Sequence, residues 1–137
     1  MILPIAADKI EEVWPIVGPY VHLACEQSRG TIAEEDVKRF CLSRDMQMFA
    51  VLNGEDFVGA VTTEVLEYPQ TRVLRVVTVG GNGWECWGAE LSAAIDEFAR
   101  HVGATLIEAQ GRKGWVKKLN SLGYEPVHTL YYKTVGE

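Results

Sequence analysis

One stretch of the sequence, residues 73–104, limits the possible folds more than any other. It opens with a run rich in β-branched residues, which ends at Gly80 and Gly81. Apolar residues then recur at intervals of three and four, as on one face of a helix: Trp84, Trp87, Leu91, Ile95, Phe98 and Val102. Gly103 suits the left-handed backbone position that ends a helix. The stretch therefore predicts a strand, a glycine-containing turn and a helix over residues 84–102.

Three consecutive strands are predicted in the middle of the chain. Residues 48–52 and 57–66 are β-rich and are joined by Asn53-Gly54, a pair suited to a tight hairpin. Residues 72–79 follow after a turn that contains Pro69, so the three strands form an antiparallel meander. Residues 2–5 predict a first strand, and residues 105–109 a strand after the long helix.

Two helices are predicted between the first strand and the meander. The first has helical spacing over residues 10–17, but Pro15 and Pro19 predict that it is broken. Thr31 and Glu34 have the spacing of a capping box, which predicts that the second helix starts there and ends near Arg44.

After the fifth strand, residues 115–122 predict a short helix that Gly123 ends, and residues 127–134 predict a last strand. The predicted order is βααβββαβαβ, an α+β fold with a mixed central sheet of about six strands flanked by helices. The 137 residues have the length of one domain, so residues 1–137 are predicted to form a single unit.

Charge and composition limit the partners. A formal net charge of -6 argues against general binding to nucleic acid or to an anionic membrane, because both require a positive surface. No apolar run approaches the ~20 residues that cross a bilayer, and no basic region precedes the apolar N-terminal residues. The three cysteines and three histidines lack metal-ligand spacing. We predict a cytoplasmic protein without a metal.

The predicted order, with its glycine-containing turn before the long helix, resembles that of the GNAT superfamily of acyl-CoA-dependent N-acyltransferases. The sequence GRKGWVKKLNSLGYEPVHTLYYK is similar to the family's closing pattern of strand, short helix, Gly-aromatic pair and final strand. Stretches such as VTTEVLEYP also resemble small GNAT-like proteins encoded by bacteriophage genomes, which would place the protein in a host cytoplasm or a virion.

The resemblance implies that acetyl-CoA or another acyl-CoA binds where two parallel strands separate. The pantetheine arm would lie against exposed backbone of the fourth strand, and the pyrophosphate would meet amide groups at the start of the following helix. The cofactor-binding residues implied in this way are Val77, Val79, Gly80, Gly81, Asn82, Gly83, Trp84 and Arg112.

The turn departs from the family pattern. The family usually has Q/RxxGxG/A, whereas VGGNGWECWG has no Arg or Gln at its start. Asn82 and Glu85 instead have the spacing of an Asx cap with an acidic third residue, and the charge of Glu85 could repel a pyrophosphate. Glycines in such a turn can also serve backbone geometry alone. The sequence leaves open whether the turn binds phosphate or only joins strand and helix.

Catalytic residues follow from the same resemblance. The family commonly uses a base that deprotonates the acceptor amine and a Tyr, four residues before the Gly-aromatic pair, that protonates the thiolate. Leu119 stands at that Tyr position here. The candidates are Glu64 as the base and Tyr132, on the predicted last strand, as the acid; a solvated Glu64 on a half-exposed strand is the alternative.

Two functions remain open from the sequence. The first is an N-acyltransferase that moves an acetyl or short acyl group to a small-molecule amine or a protein acceptor. The second is a catalytically degenerate GNAT-fold binding or assembly module, for example a homo-oligomer or a component of a phage virion.

Overall fold

The computed structural model describes residues 1–111 and 113–136. In this part of the chain five strands form one sheet, in the order β1-β2-β3-β4-β5. The strands are β1 (Ile2–Ile5), β2 (Met46–Asn53), β3 (Asp56–Glu67), β4 (Arg72–Gly81) and β5 (Leu106–Ala109). The pairings from β1 to β4 are antiparallel, as the predicted meander requires, and β4 pairs with β5 in parallel.

Helices cover both faces of the sheet. They are α1 (Ile10–Cys25), α2 (Glu34–Ser43), α3 (Trp84–Val102) and α4 (Val116–Ser121). Helices α1 and α2 pack on one face, where Val17 and Met48 are buried, and α3 packs on the other, where Leu74 and Leu91 are buried. The predicted α+β fold, a mixed sheet flanked by helices, is confirmed.

Helix α1 is continuous although Pro15 and Pro19 lie inside it, so the predicted break is wrong. Both prolines are exposed, and their spacing of four residues puts them on one face of the helix. Each proline leaves the carbonyl four residues earlier without an amide partner, and on the solvent side water can replace that partner. The opposite face is buried through Ile10, Val17 and Val21, and this packing holds the helix together.

The start of helix α2 also differs from the prediction. The residue that caps the helix is Ala33, whose backbone N–H donates to the Asp36 carboxylate at 3.0 Å. The Thr31 hydroxyl donates instead to the Ser28 carbonyl at 2.8 Å. The predicted capping box is therefore wrong by two residues, because the Thr31 side chain is used in the preceding turn. The helix ends at Ser43 with Arg44 as its C-cap, which agrees with the predicted end near Arg44.

The sixth strand predicted at residues 127–134 is not formed, since residues 124–136 contain neither strand nor helix. Val127 is 82% exposed and Tyr131 86%. A β-rich sequence forms a strand when it can lie on a half-buried pleated surface, and this segment is too exposed to do so. Because β5 is last in the strand order, no described strand lies beside its outer edge.

Helix α1 and strand β3 both lie very close to the end of β4. A Cβ atom at Gly80 would lie 2.2 Å from the Tyr20 carbonyl oxygen, and one at Gly81 would lie 2.5 Å from the Val58 carbonyl oxygen. Gly81 also has a φ of 149°, which side chains disfavour. Packing alone therefore requires glycine at both positions.

We expect Gly80→Ala to destabilise the protein, because the methyl group would force α1 away from the sheet. Overpacking of this kind typically costs about 1–3 kcal/mol, which would appear as a clear drop in melting temperature. Gly114→Ala is the matched control, since a Cβ there meets no atom within 4 Å. Equal melting temperatures for the two variants would contradict the close approach of Tyr20.

Candidate functional site

Strands β4 and β5 run side by side for only part of their length. Their register extends to the pair Val76↔Ala109, whereas β4 continues to Gly81. Residues 77–81 therefore have no strand on their β5 side in the described part of the chain. This leaves an opening between the carboxyl ends of two parallel strands.

A β-bulge in β4 lies at the point where this opening begins. Thr63 pairs with Val76 and Thr62 with Thr78, so Val77 has no partner on β3. A bulge adds twist and bends its strand, and the pairing of β4 with β5 ends one residue before it, at Val76. The buried hydroxyl groups of Thr62 and Thr78 are hydrogen-bonded at 2.6 Å, and this bond fixes the register beyond the bulge.

Backbone hydrogen bonds fix the turn from β4 into α3. The Asn82 N–H donates to the Val58 carbonyl at 2.9 Å, and the Asn82 carbonyl accepts from the Trp87 indole Nε1 at 2.6 Å. The helix is capped by Gly83, which has a φ of 76° and makes no side-chain cap. The predicted Asx cap at Asn82 is therefore wrong, because these bonds place Asn82 one residue before the cap.

The first turn of α3 points its amide groups toward the end of β4. The first hydrogen bond of the helix runs from the Cys86 N–H to the Gly83 carbonyl at 2.8 Å. The amide groups of Trp84 and Glu85 come earlier in the chain than this first donor. Such amides, together with the helix dipole, favour an anion. The exposed Glu85 carboxylate belongs to the same turn and opposes a second negative charge.

Three tryptophans meet at the start of α3. The Trp84 ring packs edge-on against Trp87 and Trp115, with centroid distances of 5.1 Å and 4.7 Å. Trp87, on the predicted apolar face of the helix, is buried, whereas Trp84 on the same face is half-buried and covers Gly88. Because Trp84 follows β4 and Trp115 follows β5, their contact connects the two segments that leave the separating strands. The Lys118 ammonium lies 4.7 Å from the Trp115 ring.

Arg75 on β4 joins carboxylates from the strands on either side. Its Nη1 donates to Glu64 Oε1 at 3.1 Å, and its Nε donates to Glu108 Oε2 at 2.6 Å. The Tyr68 hydroxyl donates to Glu108 Oε1 at 2.8 Å. These residues pair in register as Glu64↔Arg75↔Glu108, one position before β4 and β5 separate. We call this group the Arg75 network.

The Arg75 network holds Glu108 in its ionised form. Burial raises the pKa of Glu108, but the hydrogen bonds from Tyr68 and Arg75 outweigh burial, so the pKa lies below its ordinary value. Burial lowers the pKa of Arg75, and the bonds to Glu108 and Tyr68 reverse this and raise it. Two carboxylates and one guanidinium carry a net charge of -1, which favours a cationic group beside the opening.

The two carboxylates of the network differ in the atoms that they leave available. Both oxygens of Glu108 accept hydrogen bonds. Glu64 uses Oε1, and its Oε2 accepts no bond from any described residue. The Glu64 side chain is 24% exposed, so it is neither fully solvated nor sealed off. It keeps one oxygen that can take up a proton.

The structure does not bring every predicted site residue together. Residues 77–84 all lie along the opening. Tyr132 contacts Arg29, with the guanidinium 5.7 Å from the ring centroid, on the connection between α1 and α2. No contact between Tyr132 and the Arg75 network is found among the described residues. Arg112 lies outside the described residues.

A groove of about 580 Å³ lies elsewhere, beside α1 and the start of α2. No predicted site residue lines it; its lining residues are Trp14, Pro15, Pro19, His22, Leu23 and Glu34. Over residues 1–111 and 113–136, no three His, Cys, Asp or Glu side chains come together as a metal ion would need. In the same ranges no helix has the length and hydrophobicity to cross a membrane.

The three cysteines have different surroundings. Cys25 and Cys41 are buried, and Cys86 is exposed in the first turn of α3. Burial raises the pKa of Cys41 to about 11. Burial, with the nearby carboxylates of α2, also raises the pKa of Cys25. Both buried thiols are therefore protonated at neutral pH.

Acetyltransferases of known structure share this fold. A probable acetyltransferase matches with a TM-score of 0.74 at 11% identity, over 100% of this chain and 99% of that chain. An aminoglycoside acetyltransferase from an uncultured soil metagenomic sample, in complex with sisomicin, matches with a TM-score of 0.72 at 17% identity. The match covers 99% of this chain and 96% of that chain. A second aminoglycoside acetyltransferase from such a sample matches with a TM-score of 0.74 at 11% identity. The match covers 100% of this chain and 98% of that chain.

No family model matches the sequence, and no curated protein matches it. Because the sequence identities are only 11% and 17%, the structural similarity establishes the fold alone. That fold is the one which the resemblance to the GNAT superfamily predicted.

Glu108→Gln should change how stability depends on pH. Because the folded-state pKa of Glu108 is lowered, its ionised form stabilises the protein above the ordinary value of 4.5, and this contribution is lost as the pH falls through the folded-state pKa. We expect the variant to be less stable than the parent near pH 7 and the difference to shrink near pH 3, as measured by urea unfolding. Glu97→Gln, whose side chain is 82% exposed, should match the parent throughout. A constant difference between Glu108→Gln and the parent would count against the network.

Proposed function

We propose that the protein is an acyl-CoA-dependent N-acyltransferase that moves an acetyl or other short acyl group to an amine. The observation that carries this proposal is the separation of β4 from β5 beyond Val76, directly before the N-terminus of α3. Residues 77–81 have no strand on their β5 side in the described part of the chain, so the backbone groups on that side can bond to an amide-containing chain such as pantetheine. The amides that follow suit a pyrophosphate.

The residues along the opening fit acyl-CoA. The backbone of Val77 and Val79 is proposed to bind the pantetheine arm, and the amides of residues 81–84 the pyrophosphate. Gly83 leaves this approach clear, since a Cβ there would meet nothing nearer than 3.9 Å. Arg112 remains proposed as a phosphate-binding residue. When bound, acyl-CoA supplies the acyl group activated as a thioester.

Glu64 is proposed to be the general base. The acceptor amine must lose a proton as it attacks, and Oε2 of Glu64 is free to accept that proton. Arg75 would hold the other oxygen and keep the carboxylate at the edge of the opening. Tyr132 is proposed as the acid, a role that requires it to leave its contact with Arg29.

We propose a small cationic amine as the acceptor, in the cytoplasm, where acyl-CoA is made. The charge of -1 on the Arg75 network would attract an ammonium group. Two of the structural neighbours are aminoglycoside acetyltransferases, which supports an amine of this size. A lysine side chain on a protein is the other acceptor class that the charge would suit.

The alternative, a binding or assembly module without catalysis, is also supported by an observation. Glu85 places a negative charge in the turn that would bind pyrophosphate, and the contact between Trp84 and Trp115 spans the ends of the separating strands. If these groups stay in place, acyl-CoA does not enter.

Calorimetric titration with acetyl-CoA, desulfo-CoA and ADP tests the proposal. Binding of acetyl-CoA and desulfo-CoA, with weaker binding of ADP, is expected if both the opening and the α3 amides are used. Absence of binding for all three ligands at high micromolar concentration would reject the acyltransferase and leave the non-catalytic module.

Glu64→Gln should lower turnover with little change in affinity for acyl-CoA, because a general base acts only in the transition state. We expect a loss on the order of a hundredfold at saturating acceptor. Glu67→Gln is the matched control on the same strand, since Glu67 pairs with Arg72 at the surface. Unchanged turnover in Glu64→Gln would remove Glu64 from the mechanism.

Glu85→Gln should tighten acyl-CoA binding, because it removes a negative charge from the first turn of α3. The expected gain is up to ~1 kcal/mol, the usual effect of one charge at a helix terminus. Calorimetry on the parent, on Glu85→Gln and on the exposed control Glu97→Gln, from the same helix, measures it. Weaker binding in Glu85→Gln would mean that the carboxylate supports the turn and does not oppose the ligand.

A further inference from the structure

Tyr68 joins the Arg75 network from the turn between β3 and β4. Its backbone N–H donates to the Thr71 carbonyl at 2.9 Å, and the Thr71 N–H donates to the Tyr68 carbonyl at 3.3 Å, so the backbone of the turn is fixed. The side chain is 41% exposed, yet its hydroxyl reaches Glu108 on β5, 40 positions along the chain. A ring that stays this exposed contributes little through burial. The hydroxyl group is therefore the part of Tyr68 that matters to the network.

The Tyr68 hydroxyl lies between one nitrogen of Arg75 and one oxygen of Glu108. It accepts a hydrogen bond from Arg75 Nη2 at 3.3 Å and donates one to Glu108 Oε1 at 2.8 Å. Beside it, Arg75 Nε donates directly to Glu108 Oε2 at 2.6 Å. Nε and Nη2 lie on the same edge of the guanidinium group. This edge therefore faces Glu108 but reaches only one of its two oxygens directly.

Without the hydroxyl, this edge and the carboxylate could form the pair that such groups prefer. Arg and a carboxylate favour two parallel N–H···O bonds, which here would run from Nε to Oε2 and from Nη2 to Oε1. The guanidinium must move toward β5 to make the second bond, and Glu64 lies on the opposite side of β4. The bond from Nη1 to Glu64 is also the longer of the two direct contacts, at 3.1 Å. Glu64 is therefore the partner that Arg75 would leave.

We propose that Tyr68 is a positioning residue, whose hydroxyl group keeps Arg75 between the two carboxylates and thereby holds Glu64 at the edge of the opening. The hydroxyl occupies the second oxygen of Glu108, so Glu108 does not draw Arg75 away from Glu64. Tyr68 acts through Arg75 and needs no contact with acyl-CoA or the acceptor amine. Its importance for turnover rests on the proposed function of Glu64 as the general base.

Tyr68→Phe removes only the hydroxyl group, and urea unfolding measures whether Arg75 then leaves Glu64. The effect of Glu64→Gln on the unfolding equilibrium constant should be at least about twofold smaller in the Tyr68→Phe background than in the parent, because the contact that it breaks is already lost. Glu67→Gln removes a contact with Arg72 instead and should have the same effect in both backgrounds. Equal effects of Glu64→Gln in the two backgrounds would overturn the proposal.

Titration of the Glu108 carboxyl group by carbon-13 NMR identifies what replaces the hydroxyl. In the parent, burial raises the pKa of Glu108, but the bonds from Tyr68 and Arg75 and the charge of His128 bring it below the ordinary value of 4.5. In Tyr68→Phe the pKa should stay below 4.5, because Arg75 Nη2 takes over the second oxygen. A rise toward 4.5 would mean that Arg75 stays where it is, which would overturn the proposal. Tyr131→Phe, at a tyrosine that is 86% exposed, is the control and should titrate like the parent.

Turnover separates a positioning role from a purely structural one. The probes are acetyl-CoA as donor and sisomicin, the amine in the complex of one structural neighbour, as acceptor. Tyr68→Phe should lower kcat about tenfold and leave the KM for acetyl-CoA unchanged, because it misplaces the base and not the cofactor. The same substitution should cause no further loss in Glu64→Gln, since both act on one base.

Two failures can be told apart. A parent that binds acetyl-CoA and a Tyr68→Phe variant with the kcat of the parent would overturn the positioning role. A parent that does not bind acetyl-CoA would reject the acyltransferase, and the unfolding measurements would still decide whether the Tyr68 hydroxyl holds Arg75 against Glu64.

Discussion

The extra residue in β4, Val77, is the constraint on which the candidate site depends. A bulge increases the twist of its strand, and at this point β4 stops pairing with β5 while it remains paired with β3 through Thr62 and Thr78. Helix α1 can follow the bent strand only because Gly80 has no side chain. The opening is therefore lined by main chain over residues 77–81, and its geometry requires small residues and a register shift more than it requires particular functional groups.

Most of the fold could be predicted because its signals are local. The apolar stripe of α3 gives the observed helix, Trp84–Val102, and the predicted hairpin is formed, although its two turn residues are Gly54, with a φ of 65°, and Glu55, one position later than the predicted pair. The prediction and the structure differ where packing against a neighbouring element determines whether a segment forms a helix or a strand. Helix α1 tolerates two prolines because its other face is buried, and residues 127–134 form no strand because sequence preference alone does not supply a partner for their backbone.

The candidate site was only partly predictable for the same reason. Glu64 could be recognised as a charged residue on a strand, but its partner Arg75 is 11 positions away along the chain, and Glu108, which bonds to Arg75 from the other side, is 44 positions away. Only the register Glu64↔Arg75↔Glu108 brings them into one row. The signal that could have found them is a charge inside an otherwise apolar strand, as in residues 73–79 and 106–109, since such a charge in a half-buried strand needs a partner.

The surroundings of the cysteines make the chain easy to label at one place. Two thiols are buried and protonated, which leaves Cys86 as the thiol that a water-soluble maleimide meets in the folded protein. This residue lies between Trp84 and Trp87 in the sequence, in the first turn of α3. A dye attached there would be quenched by the neighbouring indoles to an extent set by their distance, so its brightness would report movement of the turn without any engineered residue.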